Sequence, residues 1–332
     1  MKKIKILFIL FITSLGTPLL SNELTFDDWL IKFKKHALKN NISENTFNKT
    51  MSNVTFLPKV IKYDRFQPEF YEDTKTYVSK RTSQSKLNQG TKLYNENEDY
   101  INSIEKKFLV EKNLLLSLMG IETNFGTYVG KMDILSSLAT LSFDERRSEF
   151  FTNELITILQ LVEAGIIDHN ILFGSWAGAF GNFQFMPSTI KKYALDYDEN
   201  GMIELKSIKD SYASAANYLN KIGWKKDQPC FVEVTLKENT PSKILNTSAK
   251  KIHSKEKFKN IKKYVTKNHD YNKYNNLVGA IITPDKDIIP NSTNLKPAYF
   301  IFENYEIILQ WNRSLRFALA VCTLKNKFKN AL

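Results

Sequence analysis

One carboxylate in this chain stands apart from every other charge. Glu122 lies in the run Gly120-Ile121-Glu122-Thr123-Asn124-Phe125-Gly126, and its nearest charged neighbours in sequence are Lys112 and Lys131. Ahead of it Leu114, Leu115, Leu116, Leu118 and Met119 form an apolar run long enough for a buried helix. A carboxyl group at the end of such a helix is desolvated, which raises its pKa toward the range where it donates a proton near neutrality. The plainer alternative is a Glu that caps or pairs locally. A second group of oxygen ligands, Asp196, Asp198 and Asn200 followed by Gly201, occupies the first, third, fifth and sixth positions of an EF-hand-like loop. Ser207 stands at the twelfth position, where the bidentate Glu belongs, so a plain Asx turn between helices is the competing reading.

Other chemistries are poorly served. Gly174-Ser175-Trp176-Ala177-Gly178 does not provide a G-x-S-x-G nucleophile elbow, and His36, His169, His253 and His269 form no H-E-x-x-H pattern. The two cysteines, Cys230 and Cys322, have no metal-ligand spacing; they either pair or act as separate small apolar residues.

The elements that must position these groups show in the periodicity. From Leu24 to Phe108 apolar residues recur at helical spacing, with a polar stretch, Thr82 to Asn97, separating two halves. Residues 109–224 alternate helical runs with Gly- and Ser-rich connectors. Period-two alternation from Phe231 to Leu236, with short runs at Leu277–Thr283 and Ala298–Phe302, predicts a small sheet. Helical spacing returns from Tyr305 to Leu324.

Lys2, Lys3 and Lys5, the apolar run Ile6–Ile12 and the small residues through Ser21 read as a secretory signal peptide. That run is too short for a stable membrane span, so the mature protein is expected to be exported, soluble and periplasmic, without a transmembrane anchor. The formal charge of +12 becomes +9 without the leader lysines, concentrated between Lys243 and Lys273. This segment either attracts an anionic partner or is a solvated surface. Nucleic acid is disfavoured, because the chain is exported and carries no recognisable binding motif.

Six ordered blocks then point to one family. They are Asp64-Arg65-Phe66-Gln67-Pro68-Glu69-Phe70; the Glu122 run; Leu138 to Phe143 with Arg146-Arg147; Gly174 to Ser188; Ala216-Asn217-Tyr218-Leu219 before Gly223-Trp224; and Trp311-Asn312-Arg313-Ser314. Together they resemble the membrane-bound lytic murein transglycosylase B family over nearly the whole mature chain. The resemblance implies a mainly α (α+β) protein. A helical N-terminal domain (22–108) precedes a lysozyme-like helical core (109–224), a small inserted β domain (225–303) and a C-terminal helix packing back on the helical part (304–332).

The implied activity is cleavage of the MurNAc-GlcNAc β-1,4 bond of peptidoglycan. Most glycosidases use two carboxylates, but here Glu122 would act alone, first as acid and then as base, while the substrate's own C6 hydroxyl closes to 1,6-anhydroMurNAc. A hydrolytic muramidase or a catalytically silent peptidoglycan-binding protein are the rivals. The resemblance gives Ser175, Gln184, Asn217 and Tyr218 roles in positioning sugars and carboxylate. Ser175 could instead cap a helix, Gln184 could bond loop backbone, and Tyr218 could be a core tyrosine. Phe150, where some relatives carry Tyr, offers an aromatic wall. Arg146 and Arg147 either hold substrate carboxylates or face water. The resemblance also extends the acidic loop, adding Asp210 and the Met202 carbonyl to Asp196, Asp198 and Asn200 around a structural Ca²⁺ or Na⁺, with no cofactor needed for the chemistry. The partner it implies is the glycan strand; no cell-wall synthesis or division partner is identifiable.

Overall fold

The computed structural model describes residues 25–66, 71–266, 270–286 and 295–332. The leader expected over residues 1–21 and the Gln67 to Phe70 end of the first block lie outside them.

Helices α1 (Phe26–Lys39), α2 (Glu44–Met51) and α3 (Pro58–Arg65) open the chain. Thr25 and Ser43 accept from first-turn N–H groups, and α3 starts with a proline, whose missing donor costs nothing there. α4 (Thr74–Arg81), α5 (Gln84–Glu96) and α6 (Glu98–Phe108) follow. The polar stretch read as a separator is therefore mostly helix. Ser83 caps α5, and burial of Gly90 and Tyr94 alone among its residues explains why its apolar period is faint.

The centre comprises α7 (Lys112–Thr123), β1 (Met132–Asp133), α8 (Ile134–Phe143), α9 (Ser148–Glu163), β2 (Phe173–Gly174), α10 (Pro187–Tyr193) and α11 (Ile208–Lys221). Leu114 to Leu116 and Leu118 of α7 are fully buried, as their uninterrupted apolar run predicts. β1 and β2 pair antiparallel.

Then come β3 (Phe231–Val234), β4 (Leu245–Asn246), β5 (Glu256–Lys257), the short α12 (Phe258–Ile261), β6 (Val278–Ile282), β7 (Ala298–Ile301), α13 (Glu303–Trp311) and α14 (Leu315–Ala331). The sheet runs β3-β7-β6-β4, with β5 also pairing β6. β3 is the strand expected from alternation, and β6 and β7 are those expected from the short β-branched and aromatic runs. The lysine-rich stretch adds β4, β5 and α12 between them. The Tyr305–Leu324 run is two helices, because Asn312 turns extended and Ser314 caps α14 by accepting from Phe317 N–H.

One core cluster takes side chains from α1 to α11, α13 and α14 and reaches Ile282 and Ile301 of the sheet; a smaller one, around Val234, Phe258 of α12 and Phe300, lies in the sheet region. α14 packs along α7 and α4. Cys230 and Cys322, left open by the sequence, form a disulfide with Cα atoms 6.1 Å apart. No helix of the described residues is long and apolar enough to cross a membrane.

Candidate active site

Glu122 occupies the last turn of α7, and that turn is held from three sides. The helix ends in consecutive left-handed residues, Asn124 (φ 49°) and Phe125 (φ 57°), a conformation that costs a non-glycine residue of order 1 kcal/mol. Several contacts offset this. Lys86 of α5 donates to the Gly120 carbonyl and to Asn124 Oδ1, placing a cation against the exposed carbonyls of the helix end. Burial, and then the neighbouring Arg81 charge, pulls the Lys86 pKa down. Gly120 must lack a side chain, since a Cβ would sit 2.6 Å from the Phe125 ring. On the second side Thr123 Oγ1 donates to the Asn182 carbonyl at 2.8 Å, tying the helix end to the loop carrying Gly181 to Phe185. On the third, Trp311 at the end of α13 donates its indole N–H to Glu122 Oε1 at 2.9 Å.

Trp311 connects the carboxylate to a cleft of about 600 Å³ lined by Arg147, Phe150, Gln184, Phe185, Tyr218, Gln310 and Arg313 among others. Its aromatic wall is continuous. Tyr193 stacks on Tyr218 at 4.4 Å between ring centroids, Tyr218 stacks on Trp311 at 5.0 Å, and Phe185 meets Trp311 edge-on at 5.4 Å. Phe150 is 46 % exposed and packs edge-on against Phe151. Burial and the adjacent Tyr193 push the Tyr218 hydroxyl up to about 12, which keeps it neutral near pH 7.

The remaining expected residues shape the loops. Ser175 Oγ accepts from the N–H groups of Ala177 and Ala179, closing the Gly174–Gly181 turn, and a Cβ on Gly174 would collide with the Ala179 carbonyl oxygen. Gln184 is left-handed (φ 50°) and its amide donates to the carbonyls of Val129, at 3.2 Å, and Gly181, at 2.9 Å. The Asn217 amide donates to the Tyr193 carbonyl at 2.8 Å, holding α10 against α11 beneath the aromatic wall. Another carboxylate lines the cleft itself. Glu154 is buried, and both its oxygens are engaged by Ser188, from the backbone N–H at 2.8 Å and from Oγ at 2.6 Å.

Arg146 and Arg147 have a partner within the chain: both guanidinium groups pair with the carboxylate of Asp64, whose side chain is 1 % exposed. Arg146 also donates to the Asp64 carbonyl at 2.7 Å, and Arg65 pairs with Asp144 at 2.7 Å. Two blocks eighty residues apart thus form one charge cluster joining the end of α3 to the α8–α9 junction. Sequence reasoning had both blocks but not their mutual contact. It likewise missed Lys86, and had Trp311 only as part of a block without its bond to Glu122.

The acidic loop brings Asp196, Asp198 and Asp210 together, one carboxylate oxygen from each lying within 4.8 Å of the others. Asp210 is fully buried, and its oxygens accept from Tyr197 N–H at 2.9 Å and Glu204 N–H at 2.8 Å. Three converging carboxylates repel unless a cation neutralises them. Among the described residues the one cationic side chain paired with any of them is Lys209, 3.6 Å from Asp198. Ser207, at the twelfth position, caps α11, and Asp210 lies in that helix's first turn. Asn200 Oδ1 accepts from the Met202 N–H at 2.9 Å and its amide donates to Glu204 at 3.1 Å, while the Asn200 and Gly201 N–H groups donate to the Asp196 carboxylate at 3.1 and 2.8 Å.

A family model described as a transglycosylase SLT domain matches residues 25–326. Membrane-bound lytic murein transglycosylase B of Escherichia coli (strain K12) is 38 % identical over 151 residues, which is 45 % of this chain and 42 % of that protein. The matched region therefore spans less than half the length of that relative. SltB3 from Pseudomonas aeruginosa, solved with NAG-NAM-pentapeptide and with NAG-anhNAM-pentapeptide, superposes with a TM-score of 0.80 at 27 % identity over 92 % of this chain and 80 % of its own. The Escherichia coli lytic transglycosylase Slt35 in complex with calcium gives 0.75 at 25 % identity over 91 % and 93 % of the two chains.

Proposed function

The chain belongs to the transglycosylase SLT domain family, and from that premise we propose that it is a lytic transglycosylase of peptidoglycan in which Glu122 serves as acid and then base. The observation that carries this reading is the placing of Glu122 beside an aromatic cleft, hydrogen-bonded to Trp311 in its wall. Sugar rings lie against Phe150, Tyr218 and Trp311, whose faces offer apolar area to pyranose C–H groups. Protonated Glu122 gives its proton to the oxygen linking MurNAc to GlcNAc, and that C–O bond breaks. The carboxylate then takes the proton of the C6 hydroxyl as its oxygen bonds C1, forming the 1,6-anhydro ring without water. Proton and bond counts close with one Glu.

Asp196, Asp198 and Asp210 have the chemistry to hold a Ca²⁺ ion, which takes several oxygen ligands and tolerates irregular geometry. Its role is to brace the loop before α11 rather than to react. Action on peptidoglycan places the protein in an exported compartment, which we take to be the periplasm.

The test is product analysis by mass spectrometry on purified sacculi. The wild type should leave 1,6-anhydroMurNAc ends, and Glu122→Gln should lose turnover by roughly 10²- to 10⁴-fold while keeping fold and glycan binding. Reducing ends in place of anhydro ends would mean a hydrolase. Binding without cleavage would mean a silent wall-binding protein.

A further inference from the structure

A second cavity, of about 530 Å³, adjoins the catalytic cleft: Tyr218, Gln310 and Arg313 line both. The chain from Ala249 to Ile252 lines it, so Lys250, Lys251 and Arg313 share one cavity with Tyr193 and Tyr218 of the aromatic wall. All three cations are exposed, and among the described residues none of them makes an ion pair. Glu306, the acidic residue in the cavity wall, is engaged by Lys255 at 2.7 Å. The cavity is therefore cationic beside a cleft that suits neutral sugars.

The lysine-bearing segment is held in place. Asn246, 1 % exposed, donates from its amide to the His253 carbonyl at 3.1 Å and accepts from the His253 N–H at 2.8 Å, closing the loop between them. Ala249 and Ile252 pack against the main core, which leaves the two ammonium groups projecting from a fixed base. Sugar hydroxyls gain little from three like charges, whereas carboxylates gain from each of them. Lysines, as flexible point charges, tolerate a carboxylate in varied positions.

We propose that this cavity binds the carboxylates of the peptide stem borne by the glycan strand, a reading that rests on the lytic transglycosylase activity proposed above. The cleft then takes the sugars, while Lys250, Lys251 and Arg313 take the anionic side branch. The test compares wild type with Lys250→Gln/Lys251→Gln on two substrates: glycan chains carrying stems, and the same chains after the stems are removed with an amidase. With stems, KM should rise roughly three- to tenfold with kcat within twofold; without them, both should be unchanged. The charge-reversing pair Lys250→Glu/Lys251→Glu should raise KM further, and unchanged melting curves should accompany both variants. Equal effects on the two substrates, or none on either, would overturn the proposal. Calorimetry with the free anionic stem peptide separates this from failure of the activity itself. Peptide binding lost in the double variant, alongside a wild type that yields no anhydro ends, would leave the cavity's role standing and remove the lyase reading.

Discussion

Trp311 meets Glu122 in two ways. Its indole N–H holds one carboxylate oxygen, and its ring continues the wall that Tyr193, Tyr218 and Phe185 begin. These contributions come apart on substitution. Trp311→Phe keeps an aromatic face and deletes the donor, so kcat should fall roughly tenfold, the scale of one hydrogen bond to a charged group, with KM little changed. Trp311→Ala also opens the wall and should raise KM as well; steady-state kinetics on one defined glycan distinguishes the two variants. Tyr218 supplies a different test. Because its hydroxyl is pushed from 10.0 up to about 12, no limb of a pH–rate profile below pH 10 belongs to it. Tyr218→Phe should therefore preserve the profile's shape. A lost or displaced limb would make the hydroxyl a proton carrier.

At the scale of elements, the end of α7 depends on α5, the helix that sequence periodicity did not show. Lys86→Met keeps the aliphatic stem but removes the cation from the Gly120 carbonyl, a loss of about 1–2 kcal/mol that should lower the melting temperature by a few degrees. The loop before α11 makes a second elemental prediction. Calcium binding to the native fold alone should raise the melting temperature, and Asp198→Ala should abolish the rise; identical curves with calcium and with chelator would discard the ion. What was legible beforehand follows the strength of the local signal. α7 announced itself because nearly all of its residues are buried, β3 because of its period-two alternation, and β6 and β7 because their β-branched and aromatic runs suit strands buried on both faces. α5 was obscured because only Gly90 and Tyr94 are buried along its length. The Asp64 cluster was invisible for another reason: its members lie some eighty residues apart, and no local rule pairs an acidic residue with two distant arginines. Trp311 was visible as a residue of a matching block, but its bond to Glu122 spans 189 residues and belongs to the tertiary fold.

At the scale of the molecule, two fastenings between sheet and helices stand out beside the shared core. Asp285, just beyond β6, accepts from the Thr74 N–H and hydroxyl at the start of α4 and from Arg316 of α14, all three groups buried. The disulfide between Cys230 and Cys322 ties the start of β3 to the middle of the same helix. α14 lies along α7, and α7 carries Glu122, while the sheet carries the lysines of the second cavity; both fastenings therefore bear on how the two halves of the proposed substrate site meet. The disulfide closes a loop of 92 residues, for which the chain-entropy estimate is roughly 4–5 kcal/mol of stabilisation. Such a bond persists in an oxidising, exported compartment, in keeping with action on the wall. Cys230→Ser/Cys322→Ser, or full reduction of the wild type, should lower the melting temperature by on the order of 10 °C. With Asp285 still in place, turnover of peptide-free glycan at 25 °C should stay within about twofold of the oxidised protein, because α7, α13 and the aromatic wall are fixed by the helical core. A melting curve indifferent to reductant would show that the two sulfurs are not bonded in solution. A collapse of turnover at 25 °C would show instead that the catalytic cleft itself depends on the clasp between sheet and helix.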